Sequence, residues 1–186
     1  SADDVYTDSS KPDKSMRSSA YIKVSSETNG FLKFDISELK EKSTSHSYIV
    51  LYPSRLRKGG EMSLYEYPHL WEEKTLTFAN TDAFGDKITT FKTDYAEVVN
   101  YIDVTSFVNK ALASGKTELS FVIKSEGADV DFVTKETTLK SFRPSLILEG
   151  VGLKEREKKI SSFDYSNYDV VMKRKKTPND TFVPTP

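Results

Sequence analysis

The stretch that most narrows what this chain can become is Tyr21–Leu39, YIKVSSETNGFLKFDISEL. Two runs of apolar/polar alternation, Tyr21–Val24 and Phe31–Ile36, flank a turn-rich Glu27-Thr28-Asn29-Gly30. That is how a β-hairpin with a short loop is written. Setting Ile22 against Phe34 and Val24 against Leu32 gathers these side chains, with Ile36, on one buried face. The same register sets Tyr21, Lys23 and Ser25 against Asp35, Lys33 and Phe31 on the outward face, because side chains alternate along a strand. The expected outward surface is a pair of lysines between two aromatic rings.

Strand-like segments recur on either side. Asp3–Asp8 reads as a first strand with Val5 inward and Tyr6 on the other side. A polar loop, Ser9–Ala20, follows with Lys11, Lys14 and Arg17; long loops of this kind are usually either functional or disordered. Ser47–Tyr52 and Glu61–Tyr67 are apolar strands that Pro53 and Pro68 are expected to stop, with Arg55, Arg57, Lys58, Gly59 and Gly60 as a basic turn between them. His69–Asp82, which holds the single Trp71, reads as loop, and Lys87–Phe91 and Glu97–Ile102 as short strands. Asp103-Val104-Thr105-Ser106 opens a brief helix, Ser106–Ala113, that Gly115 ends. Glu118–Lys124, Asp131–Thr134 and Ser145–Glu149 complete the set. Many short strands and one brief helix predict an all-β, jelly-roll-like sandwich over residues 1–150. Past Gly150 the chain turns to charge runs and prolines, so Val151–Pro186 reads as a charged linker or docking extension towards a further domain.

Composition removes several classes of function. The formal net charge is −1 over 186 residues, so no global field points to nucleic acid. Without cysteine there is no disulfide framework and no thiolate metal site. No apolar run approaches the roughly 20 residues of a membrane span. The opening Ser1-Ala2-Asp3-Asp4 carries no signal-peptide pattern and reads as a processed or cut-down start.

The order of these elements resembles the DNRLRE-type domain of secreted bacterial polysaccharide-degrading proteins. The residues that carry the resemblance are Asp4-Val5-Tyr6, Phe31-Leu32-Lys33-Phe34-Asp35-Ile36-Ser37 and Ile49-Val50-Leu51-Tyr52. They continue in Trp71-Glu72-Glu73-Lys74-Thr75-Leu76-Thr77-Phe78-Ala79-Asn80, Asp103-Val104-Thr105 and Arg143-Pro144-Ser145-Leu146-Ile147-Leu148. This sequence departs from the family at Phe78, where a second Trp is usual, and lacks the Pro beyond Asn80. The resemblance implies a non-catalytic β-sandwich, a carbohydrate-binding module of the alginate-binding type attached to a lyase or surface protein. It also implies a bacterial setting, secreted, cell-surface or periplasmic, and binding by basic side chains near the first strands.

The expected ligand contacts are therefore Lys11, Lys14, Arg17, Tyr21, Lys23, Phe31, Lys33 and Arg143, facing an acidic polysaccharide such as alginate or another polyuronate. Two opposed lysines repel by roughly 0.2–1 kcal/mol, and a bound anion relieves that cost. Tyr21 and Phe31 offer faces for pyranose rings. The plainer alternative is a solvated face in which Asp35 neutralises one lysine, on a structural spacer or adhesion domain with no glycan ligand. Trp71 is expected in the core or packed at an edge. Glu72 and Glu73 point to opposite faces if extended, which rules against a catalytic pair. His46 and His69 lie in no metal-ligand or triad spacing. No cofactor is expected; Asp3, Asp4 and Asp8, with Glu149, are candidates for a structural calcium. Lys135 and Lys140 read as salt-bridging cations near the last strand.

Overall fold

A computed structural model describes residues 3–40 and 42–153. The strands are β1 (Asp3–Asp8), β2 (Tyr21–Val24), β3 (Thr28–Asp35), β4 (Lys42–Ser43), β5 (His46–Leu51), β6 (Pro53–Lys58), β7 (Gly60–Glu66), β8 (Lys87–Thr93) and β9 (Asn100–Asp103). The helix α1 (Thr105–Ala113) follows, then β10 (Glu118–Ser125), β11 (Asp129–Val133), β12 (Ser145–Glu149) and β13 (Gly152–Leu153). A five-stranded antiparallel sheet, β1-β3-β10-β7-β8, packs against two three-stranded sheets, β2-β11-β6 and β12-β5-β9. The expected all-β sandwich with one short helix is the fold observed. The expected extension lies outside the described residues from residue 154 onward; before it, β13 pairs with β4.

The expected hairpin is not formed. Ser25 and Thr28 exchange backbone hydrogen bonds of 3.1 and 3.4 Å in a tight turn, but β2 then pairs with β11 while β3 pairs with β1 and β10. The strands splay into opposite layers and meet face to face across the interior. Gly30 permits this approach, since a Cβ there would stand 2.6 Å from Ile22 Cγ2 and 3.1 Å from Val24 Cγ2. Alternation had assigned the inward side chains Ile22, Val24, Leu32 and Phe34 correctly; all four are buried. It had not assigned their partners, because inward residues of facing sheets share one core.

The five-stranded sheet is covered on both faces. In β10, consecutive Phe121, Val122 and Ile123 are all buried, as are Phe31, Leu32, Lys33 and Phe34 in β3, the pattern of a strand with no wet side. One face meets the second layer; over the other, Tyr67, Trp71 and Phe84 pack edge-on around Phe31 at centroid separations of 5.2, 5.9 and 6.4 Å. In β1, Tyr6 stands opposite Gly30 and Val5 opposite Phe31. Tyr6 therefore shares the face of Gly30, the reverse of the expectation for this strand, and both residues are buried.

Local chemistry explains the other boundaries. β5 ends at Leu51, ahead of Pro53 as expected, but Pro53 also begins β6, an edge strand of another sheet, where a residue without an N–H costs no ladder bond. The Asp103 carboxylate accepts the Thr105 N–H at 2.9 Å at the start of α1. At its end Gly115 has φ of 74°, and Lys116 N–H reaches Ala111 O at 3.0 Å.

Candidate functional site

Because β2 and β6 are the edges of a three-stranded sheet with β11 between them, their outward residues form rows. Lys23 and Arg55 both stand opposite Asp131, and directly opposed residues share a face. Asp131 is fully buried beneath this cover and takes two hydrogen bonds from Arg57, at 2.7 and 3.0 Å. Those bonds hold the Arg57 guanidinium above its ordinary value. Arg57 also reaches Asp129 at 2.9 Å, so its charge is spent within the sheet. Arg55 is different. It lies 3.9 Å from Asp131 with 62% of its side chain exposed, and its guanidinium sits 5.9 Å from the Tyr21 ring.

Lys23 extends along the sheet towards β1, where its ammonium lies 5.9 Å from the Tyr6 ring centroid. Burial, followed by the charges of Asp8 and Asp131, pushes the Tyr6 phenol above its ordinary value. Asp8 is held below the usual carboxylate range, first by the Ser10 hydroxyl at 2.6 Å, with Lys11 and Lys23 adding smaller attractions. Lys11 is 3.9 Å from Asp8 and largely exposed; Lys14 and Arg17 on the same loop are exposed. The outer face thus carries Lys23 and Arg55, with the Tyr21 ring, over a buried carboxylate, and Arg17 on the adjoining loop lies beside Glu73, Lys74 and Glu136.

Two expected members of the face lie elsewhere. Lys33 is 8% exposed and Phe31 fully buried, both on the covered face of the five-stranded sheet. The Lys33 ammonium donates to the Trp71 carbonyl, lies 3.3 Å from Asp3 and 4.0 Å from Glu118, and sits 4.5 Å from the Trp71 ring centroid. It never opposes Lys23. Alternation marks these residues as facing away from the core; a loop folding over that second face leaves no mark in the pattern. Asp35, expected to neutralise a lysine, accepts the Ser37 N–H at 2.8 Å instead.

A further ion pair ties down the same covering segment through Glu73. Lys135 bridges Asp3 at 3.1 Å and Glu73. Burial pushes the Asp3 carboxyl up, but Lys135 and then Lys33 outweigh it and leave it below its ordinary value. Burial likewise works against the Lys135 charge, yet Glu73 and Asp3 hold it above its usual range. Trp71 is buried as expected and donates its indole N–H to Ser120 at 3.1 Å. Arg143 donates twice to the Thr137 carbonyl, at 3.1 and 2.8 Å, bracing its own loop. Among the described residues, no three His, Cys, Asp or Glu side chains converge as a metal site, and no helix is long and apolar enough to cross a membrane.

Arg55 and Arg57 are the cations the sequence reading left in a turn. The signal was present in Arg55-Leu56-Arg57, a period-two pattern that puts both arginines on one face once a new strand is begun at Pro53. Against known proteins, residues 1–150 match carbohydrate-binding module family 96. No curated protein matches the chain. The chain belongs to carbohydrate-binding module family 96, a non-catalytic class whose partners are carbohydrates.

Proposed function

We propose, with that membership as premise, that the module binds an acidic polysaccharide, alginate or another polyuronate, along the outer face of β2-β11-β6 and the adjoining Ser9–Ala20 loop. The observation that carries this reading is the row Lys23-Asp131-Arg55, with Arg55 open to solvent beside Tyr21. A polyuronate carries a carboxylate on each sugar, so its binder needs cations at intervals on an open surface rather than one deep pocket. Lys23, Arg55, Lys11, Lys14 and Arg17 supply those cations, and the Tyr21 ring supplies apolar surface for a pyranose face. Arg57 holds Asp131 and so keeps the row in register. Phe31 and Lys33 take no part, being covered, and Arg143 serves its loop. Such a module would keep an attached lyase or surface protein close to the polymer, in a secreted, cell-surface or periplasmic bacterial setting.

Affinity electrophoresis in gels containing polyuronate tests the proposal. Retardation is expected at low salt, fading as salt screens the exposed charges, and weakened by Lys23→Ala or Arg55→Ala. Retardation indifferent to salt and to both substitutions overturns it. No retardation by polyuronate, or by any other glycan, would leave a structural spacer or adhesion domain as the reading.

A further inference from the structure

A second concave surface lies at the end of the sandwich where β2 turns into β3. It is a cleft of about 540 Å³ between the Ser25–Thr28 turn and the Phe78–Phe84 loop, with Lys124 of β10 at its margin. That size falls within the roughly 300–1,000 Å³ usual for ligand pockets. Its chemistry is the reverse of the basic strip: Glu27 and Asp82 are acidic, Asn29 is neutral, and Lys124 is the one cation among its lining residues. Phe78 is 38% exposed, a large ring left at the surface of the cleft.

Both walls are fixed before any ligand arrives. On one side, Ser9 N–H bonds Glu27 O at 3.0 Å and the turn closes between Ser25 and Thr28. On the other, Asn80 ties Thr77 N–H and the Thr75 carbonyl, each at 2.8 Å, and the Tyr67 hydroxyl accepts the Asp82 N–H at 3.1 Å. Ala79 N–H bonds Pro12 O at 2.8 Å and Gly85 N–H bonds Glu66 O at 2.9 Å. Yet the polar side chains of Glu27, Asn29 and Lys124 bond no described residue, and the Asp82 carboxylate lies 4.0 Å from the His69 ring. Held walls lower the ordering cost of binding, and uncommitted side chains remain for a partner.

We infer that this cleft is a second glycan subsite, which takes a neutral pyranose ring with Phe78 against its C–H face and Glu27, Asn29 and Asp82 bonding its hydroxyls. Carboxylates are strong acceptors for hydroxyl donors, and their negative charge turns away a uronate. The subsite therefore selects the opposite class of sugar from the basic strip and stands or falls independently of it.

The test is titration of the full chain with cellohexaose, mannohexaose and xylohexaose, followed by backbone amide NMR. Saturable shifts are expected at Glu27, Asn29, Phe78 and Lys124 with at least one of these probes, unchanged by salt. Phe78→Ala weakens that binding by about ten-fold or more, Phe78→Trp retains it, and Lys23→Ala leaves it untouched. Asn29→Ala, on the opposite wall, provides an independent loss should Phe78→Ala disturb its loop. No shift with any of the three probes, or shifts that follow Lys23 and Arg55 instead, overturns the inference while leaving polyuronate binding to be judged by its own gels.

Discussion

Lys23 and Lys33 lie ten positions apart within one stretch of sequence, each flanked by apolar neighbours, and they do unlike things. Lys23 lies on the outer row of an edge strand, near Asp131 and the Tyr6 ring, with its surroundings partly open. Lys33 lies on an inner strand beneath the Trp71 loop, its ammonium held by a carbonyl, two carboxylates and an indole face. A cation at a sheet edge is available to a ligand, whereas one under a loop is part of the architecture. What separates them is where each strand sits in its sheet and what crosses above it.

The sharpest way to break this contrast is Lys33→Ala. It strands the Trp71 carbonyl and weakens the tie from the covering loop to β1, so urea unfolding should show a loss of about 3 kcal/mol. Unchanged stability with lost polyuronate binding would invert the comparison. Arg57→Ala comes next, since Asp131 is fully buried and would keep only Arg55, at 3.9 Å, and the facing Lys23. That residual cover limits the expected loss to about 2 kcal/mol, read in the same unfolding experiment.

A smaller effect comes from pH. Asp3 sits below its ordinary 3.8 in the fold, so its contribution is full above that value and is lost as pH falls through the lower folded one. Lys135 sits above its ordinary 10.5, so its contribution is full below that value and is lost as pH rises through the higher folded one. Stability from this network should be level between those limits, with Asp3→Asn flattening the acid limb and Lys135→Met the alkaline one in thermal melts. Smallest in energy is Lys23→Ala: about three- to ten-fold weaker polyuronate binding at low salt, and stability within about 0.5 kcal/mol of the parent.

The sequence disclosed strands more readily than neighbours. β1 and β12 were legible to the residue, and β10 to within one, because alternation and bounding turns define where a strand lies. The β2–β3 pairing was not, since a tight turn serves equally for strands that pair and strands that part into facing layers. The basic surface was legible in part. Lys23 and Tyr21 were placed on an outward face correctly, but with the wrong companions; Arg55 completes the row from a strand about thirty residues further along, brought near only by β11. Non-local pairing of that kind depends on the whole sheet. The burial of Lys33 depended on a loop some forty residues away, and nothing in β3 itself announces it.

Gly30 sets how closely the two layers approach beneath the basic row. Ile22 and Val24, on the strand that carries Lys23, pack against that residue's hydrogen, and the turn that walls the cleft joins this strand to β3. A methyl group there would act as a wedge driven between plates, pushing β2 away from β3. The closeness of β2 to β3, and with it the height of the row that Lys23 carries, therefore depends on the absence of a side chain at this one position.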